Sequence, residues 1–306
     1  MKKMKLGKSN LEIPRLGVGC MRMESLTADE AERFVLEAVE QGVNFFDHAD
    51  IYGDGNCERL FGEVLKRNPG LRSQVILQSK AGICPDVMYD NSKEHLMEAA
   101  DGILKRLGTD YLDVFLIHRP DALVEPEEVA EAFDRLHSSG KVRYFGVSNH
   151  KPMQMELLSR YLKQELQADQ LQFSITNSNM VRNGMEVNME TEGAADRDGS
   201  VLDYCRLKDI TIQAWSPFQY GMFEGTFLGS PKYKKLNEVL EELAEKYGTT
   251  NTAVASAWIF RHPAKIQLLA GTMNSRRLKE INQAQELPLT REEWYRIYLA
   301  AGHMLP

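Results

Sequence analysis

Apolar and polar positions follow two alternating periods along this chain. Short, nearly continuous apolar runs read as strands buried on both faces: "RLGVGC", "VNFFD", "VILQSK", "YLDVFLIH", "VRYFGVSN", "DQLQFSI", "ITIQAWS" and "IQLLAGT". Between them, apolar residues recur at helical spacing. The stretch "TADEAERFVLEAVEQG" is typical, with Thr27 and Glu30 spaced as a capping box and Gly42 as the stop. The same reading makes helices of "CERLFGEVLKR", "SKEHLMEAADGILKRLG", "PEEVAEAFDRLHSSG" and "KPMQMELLSRYL". After "DQLQFSI" comes a long polar stretch, expected to be a loop, and then the helical "SVLDYCRLK". "KLNEVLEELAEKYG", "NTAVASAWIFRH" and "SRRLKEINQAQ" follow the last strands. A final helix, "TREEWYRIYLAAG", carries a second capping box, Thr290 with Glu293.

Strict alternation of strands and helices favours a parallel sheet. Eight such units in one chain of this length favour an α/β fold closed into a (β/α)8 TIM barrel. The opening "KMKLGKSNLEI" predicts a β-hairpin turning around Gly7–Asn10 and plugging one end of the barrel. With no Pro/Ser/Gly-rich linker, low-complexity tract or short repeat, a single domain over residues 1–306 is expected, the last helix being an addition to it.

Composition narrows the function classes. The net charge is −7, which does not make the surface a trap for nucleic acid or anionic lipid. Cys20, Cys57, Cys84 and Cys205 stand far apart, with no C-x-x-C pair to propose a zinc site or a disulfide framework. "MKKMKLGKSN" lacks the apolar core of a signal peptide, and no run approaches the ~20 apolar residues of a membrane span. The expectation is a reduced, cytoplasmic protein that acts on a small molecule and has no nucleic-acid or membrane partner. The oligomeric state is not readable.

In a barrel of this kind the chemistry lies at the carboxyl ends of the strands. There the sequence places Asp47, Lys80, His118, Ser148 with Asn149, Gln170 and Trp215, with Tyr52 on the loop just after Asp47. Each alone has a plain structural reading: a solvated lysine, a hydrogen-bonded histidine, a packing tyrosine, a core tryptophan. Their joint convergence on one rim is a different matter.

The fragments "FDHADIYG", "SK", "LIH", "GVSN", "DQ" and "AWSP", in this order and on these strands, resemble the aldo-keto reductase family. The similarity runs from about Leu16 to Glu280, and "LGTDYLDVFLIHRPD" and "LHSSGKVRYFGVSN" are highly typical. The resemblance implies reduction of aldehydes or ketones by hydride from a nicotinamide, with Asp47, Tyr52, Lys80 and His118 as the catalytic tetrad. In that scheme Tyr52 gives the proton. The Lys80 ammonium lowers its pKa, Asp47 holds Lys80, and His118 positions the carbonyl oxygen. The chain has no G-x-G-x-x-G, since "GVGCMR" ends in Arg22. By resemblance, the cofactor instead lies across the barrel mouth. Ser148, Asn149 and Gln170 would meet its carboxamide and Trp215 its ring, while backbone at Cys20 and Met21, together with Ser216, Pro217 and Phe218, would line the middle. Gly271, Thr272, Asn274, Arg277 and Glu280 would hold the adenosine end, with Arg277 facing a 2′-phosphate. NADPH is therefore the expected cofactor, and NADH is possible. Met273 stands where relatives often carry a second cation. Arg119 stands where relatives can carry an aromatic residue, and Asp169 where Asn is frequent.

Two other readings stay open at this stage. One is a nonenzymatic cofactor-binding regulator on the same fold. The other is a metal-dependent hydrolase, prompted by "DHAD", although adjacent strand residues such as Asp47 and His48 point to opposite faces. Substrate choice falls to the rim loops, which offer Met88, Tyr89, Met180, Met185, Tyr220, Met222 and Phe223 as pocket walls.

Overall fold

The computed structural model describes residues 2–305. Met1 and Pro306, the ends of the expected single domain, lie outside the described residues. Eight parallel strands close a barrel: β1 (Leu16–Gly19), β2 (Phe45–Asp47), β3 (Ile76–Ala81), β4 (Leu112–Ile117), β5 (Val142–Ser148), β6 (Leu166–Gln172), β7 (Thr211–Trp215) and β8 (Gln267–Ala270). β8 pairs with β1, which completes the ring. The strands are buried almost throughout because helices cover one face and interior side chains fill the other.

Each helix covers its neighbouring strands with one apolar stripe. In the helix Ala28–Glu40 the buried residues are Ala31, Phe34, Val35 and Ala38, spaced to lie on one face. The Thr27–Glu30 capping box is formed, and so is that of Thr290 with Glu293 on the last helix, Arg291–Ala300. That helix is locked to the helix Asn251–Arg261 by Trp294 and Trp258. Their rings stack 4.6 Å apart, and each indole N–H donates to the other's backbone carbonyl.

The hairpin Lys3–Lys5/Glu12–Pro14 seals the amino-terminal end of the barrel. Its Leu6 and Ile13 pack with Phe45, Ile76, Val114 and Leu269, the inward residues of that end. Gly7 is required in its turn. Its φ is +54°, and a Cβ there would lie 2.6 Å from the carbonyl oxygen of Gln167. The opposite, carboxyl-terminal end stays open.

The stretch read as a plain polar loop contains a short helix, Asn179–Met185, and a single 3-10 turn, Glu192–Ala194. Two further loops fold into small hairpins, Ile83–Cys84 with Met88–Tyr89 and Gln219–Tyr220 with Gly225–Thr226. None of the helices is long and apolar enough to cross a membrane, among the described residues.

Candidate active site

Parity along the strands decides which side chains enter the barrel. From Phe45 at the sealed end, two steps lead to Asp47 at the mouth; from Ile76, steps of two lead to Gln78 and Lys80. Register aligns Asp47 with Gln78 and Lys80 with Leu116. Lys80 is fully buried, and its Nζ donates to Asp47 Oδ1 and to the His48 carbonyl, both at 2.7 Å. Tyr52, on the loop after β2, lays its ring 5.0 Å from that ammonium. The His118 ring, just past β4, stands edge-on to Tyr52 with centroids 6.0 Å apart. Asp47, Tyr52, Lys80 and His118 thus meet at one point on the barrel's open end. His48 faces the other way, buried with its ring against Phe61, so Asp47 and His48 do not form a joint metal site.

A network that the sequence reading missed supports Asp47 from below. Gln78 Nε2 donates to Asp47 Oδ1 (2.7 Å) and to Gln213 Oε1 (2.9 Å). Gln213 Nε2 donates to Gln78 Oε1 and Gln267 Oε1, and Gln267 Nε2 to the Pro14 carbonyl. Gln170 Nε2 also reaches Asp47 Oδ1, at 3.1 Å. The amide orientations are fixed from both ends, because a carboxylate and a proline carbonyl can only accept. Flipping any one amide would set two acceptors face to face. The signal was present in the sequence as Gln at inward positions of β3, β7 and β8, two residues before Lys80 in β3 and before Trp215 in β7.

Electrostatics add burial to the expected effect of Lys80 on Tyr52. Burial pushes the Tyr52 phenol up from its ordinary value, and the Lys80 ammonium only partly opposes it. Lys80 lowers the phenol as expected, but the half-closed pocket outweighs it, so Tyr52 holds its proton at neutral pH. His118 is driven well below its usual range by burial, then by Lys80 and Arg119, and is neutral. Its Nδ1 is buried without a partner among the described residues. Lys80 itself ends above its ordinary value, because its coupling to Asp47 and Tyr52 exceeds its own burial penalty.

Above these residues opens a cavity of about 890 Å³. Asp47, Tyr52 and His118 form part of its wall, and Lys80 sits just behind. Met21, Ser148, Asn149, Gln170, Trp215, Ser216, Pro217, Phe218, Gly271, Thr272 and Arg277 also line it. Three expected contacts do not. Cys20, expected to contribute backbone, is fully buried between the lining residues Gly19 and Met21, with its thiol toward the Val18 carbonyl. Asn274 spends its side chain capping the helix Ser275–Gln283, accepting from Arg277 N–H. Glu280 is engaged with Arg276 and Thr250. Of the loop residues expected as walls, Tyr89, Met222 and Phe223 reach the cavity, whereas Met180 and Met185 line a separate cleft beside the last helix. Arg22, Glu24, Arg119 and Thr252 are lining residues that periodicity did not single out.

The polar wall is held firmly. Ser148 Oγ and Asn149 N–H both donate to the Gln170 carbonyl, and Asn149 Oδ1 accepts from the Trp215 indole at 3.2 Å. Asn149 and Ser216 both have left-handed φ values, +58° and +50°. Such values cost energy in a residue with a Cβ and are concentrated at functional sites.

A model of the aldo/keto reductase family matches residues 15–300. The chain belongs to the aldo-keto reductase family. It is 35% identical to the uncharacterized oxidoreductase YcsN of Bacillus subtilis, over 97% of each chain. It is 34% identical to a 6-dehydroglucose reductase of Novosphingobium aromaticivorans, over 98% of this chain and 96% of that one. Identity to the oxidoreductase YdhF of Escherichia coli is 34%, over 96% of each. The crystal structure of the thermostable aldo-keto reductase Tm1743 with the inhibitor epalrestat superposes with a TM-score of 0.78 at 26% identity, covering 98% of this chain and all of that one. As an aldo-keto reductase the protein is an oxidoreductase, in a family that generally reduces carbonyl groups with a nicotinamide cofactor.

Proposed function

We propose that this protein reduces an aldehyde or ketone to an alcohol, taking hydride from NADPH and the proton from Tyr52. The observation that carries this reading is the meeting of Tyr52, Lys80, Asp47 and His118 on the wall and floor of one cavity. When bound, the cofactor supplies the hydride. Everything else falls to the chain's own residues. Tyr52 presents a phenolic proton to the carbonyl oxygen, where negative charge develops. Lys80 stabilises the phenolate left behind, and Asp47 balances Lys80. Neutral His118 donates a hydrogen bond to the same oxygen and fixes its approach. The glutamines beneath Asp47 keep its carboxylate from swinging away from Lys80.

The cavity residues fit a dinucleotide. Asn149, Ser148 and Gln170 offer a rigid polar edge for a carboxamide, and the indole of Trp215 offers a flat face beside them. At the far end, Arg22 donates to the Gly271 carbonyl, and Arg277, at the start of a helix, has no ion pair among the described residues. A 2′-phosphate there gains a guanidinium and backbone N–H groups. The preference for NADPH over NADH rests on this single arginine at the adenosine end, so it should be modest.

The test combines two measurements on the same protein. Quenching of tryptophan fluorescence reports binding of each cofactor, and consumption of the reduced cofactor reports turnover of a panel of aldehydes and ketones. Binding with turnover supports the proposal. Tight binding without turnover of any carbonyl compound would instead make the protein a cofactor-binding regulator.

A further inference from the structure

Some charged groups around the cavity have partners, and Arg277 and Glu24 do not among the described residues. Lys80 is paired with Asp47, and Arg22 reaches the Gly271 carbonyl. Arg119 is different. It follows His118 at the end of β4 and lines the cavity on the same side as Tyr52 and His118, half-buried. Its guanidinium has neither an ion pair nor a hydrogen-bond partner among the described residues.

The nearest acid in sequence is occupied. Asp121, two residues on, accepts the backbone N–H of Asn91 with one oxygen and that of Leu123 with the other. The backbone of Arg119 is meanwhile anchored, its carbonyl accepting from Asn91 Nδ2 at 3.0 Å. The guanidinium is also close enough to depress the imidazoles of His118 and His150. A chain with a surplus of seven acids therefore keeps one guanidinium unneutralised beside its reacting groups. Partial burial of an unpaired cation is costly unless something occupies it.

We propose that Arg119 forms an anion subsite for the substrate, and that the preferred substrates are aldehydes or ketones bearing a carboxylate within reach of the carbonyl. This inference rests on the reductase reading above, and it goes further by naming the substrate class. The planar fork of the guanidinium suits a carboxylate held by two parallel hydrogen bonds. The location is distinct from that of Arg277, which follows β8, the strand opposite β4 in the ring. The two cations thus divide the work, one toward the cofactor and one toward the substrate.

Matched substrates test this. Steady-state kcat/KM is measured for 4-carboxybenzaldehyde and its neutral counterpart 4-formylbenzamide, and for 4-oxobutanoate and 4-oxobutanamide. A charge-assisted contact of this kind should favour each carboxylate by about tenfold or more in the wild type. In Arg119→Met the carboxylate-to-amide ratio should fall to near unity, and Arg119→Lys should keep part of it. Calorimetric binding of 4-methylbenzoate and 4-methylbenzamide gives a readout free of turnover, with benzoate binding lost in Arg119→Met. A wild type without carboxylate preference, or a ratio unmoved by Arg119→Met, overturns the inference and leaves the reductase reading intact. Arg119-dependent benzoate binding with no turnover of any aldehyde supports the subsite and overturns the reductase reading.

Discussion

Replacing Lys80 with Met keeps the side chain's length and removes its charge at a position with no solvent exposure. Asp47 then stays buried without its cation. Breaking a buried pair from one side costs about 3–5 kcal/mol. Here Gln78 and Gln170 still donate to the same carboxylate oxygen, which places the expected loss near the lower end, about 3 kcal/mol. For a chain of this size that corresponds to a fall of about 5 °C in Tm. Adding Asp47→Asn to Lys80→Met removes the stranded charge and should recover most of the loss. The catalytic effect is separate. Burial already holds the Tyr52 phenol up, and Lys80 is the main group opposing it, so its loss makes the phenolate harder to form. Turnover should drop by at least ~10²-fold, as for a lost general acid. Tyr52→Phe should lose as much activity with little change in stability. The Lys80→Met/Tyr52→Phe double variant should lose little more, because the two act as a unit. Urea unfolding and steady-state kinetics at saturating cofactor read both quantities. Full stability and turnover in Lys80→Met, or losses that multiply in the double variant, would refute the reasoning.

Three further outcomes follow from individual residues. Gln78→Met removes an amide that donates to both Asp47 and Gln213, so we expect a loss of about 2 kcal/mol in unfolding free energy and reduced kcat; a fully stable variant with unchanged kcat would detach the glutamine network from the site. Asp50 is raised to about 7 by burial and then by Glu58, so the native state holds a proton there that the unfolded chain releases near its ordinary carboxylate value. Its contribution to stability therefore declines as pH rises from about 4 to about 7, and Asp50→Asn should abolish that decline, measured as urea midpoints at acid and mildly alkaline pH. Arg277→Ala should weaken NADPH binding while leaving NADH nearly unchanged, read by fluorescence titration; equal losses for both cofactors, or wild-type NADH binding as tight as NADPH, would remove Arg277 from the phosphate site.

The barrel was legible because its signals are local. Eight apolar runs, the two capping boxes and the hairpin turn at Gly7 each depend on a few neighbouring residues, and all of them appear in the structure. The helix Asn179–Met185 was hidden because "NMVRNGM" is short, contains a glycine and has no apolar period. The placement of Asp47, Lys80 and His118 at strand ends could be read from strand parity. The glutamine network could not be read in the same way, since single glutamines in apolar strands look like interruptions until three strands are brought together. The same limit explains Tyr52. The neighbouring lysine is visible in the sequence, while the burial that outweighs it comes from the closed barrel. Asn274 and Glu280 were placed on the cofactor path by resemblance, but one caps its own helix and the other is engaged by Arg276 and Thr250.

The most direct test of the central claim follows the hydride itself. NADPH carrying deuterium at the transferable position is incubated with the wild-type protein and a reactive aldehyde, and the alcohol is analysed by mass spectrometry. The account predicts one deuterium on the carbinol carbon, and almost no alcohol when Tyr52→Phe replaces the wild type. Alcohol without deuterium, or labelled alcohol formed equally well by Tyr52→Phe, would contradict it.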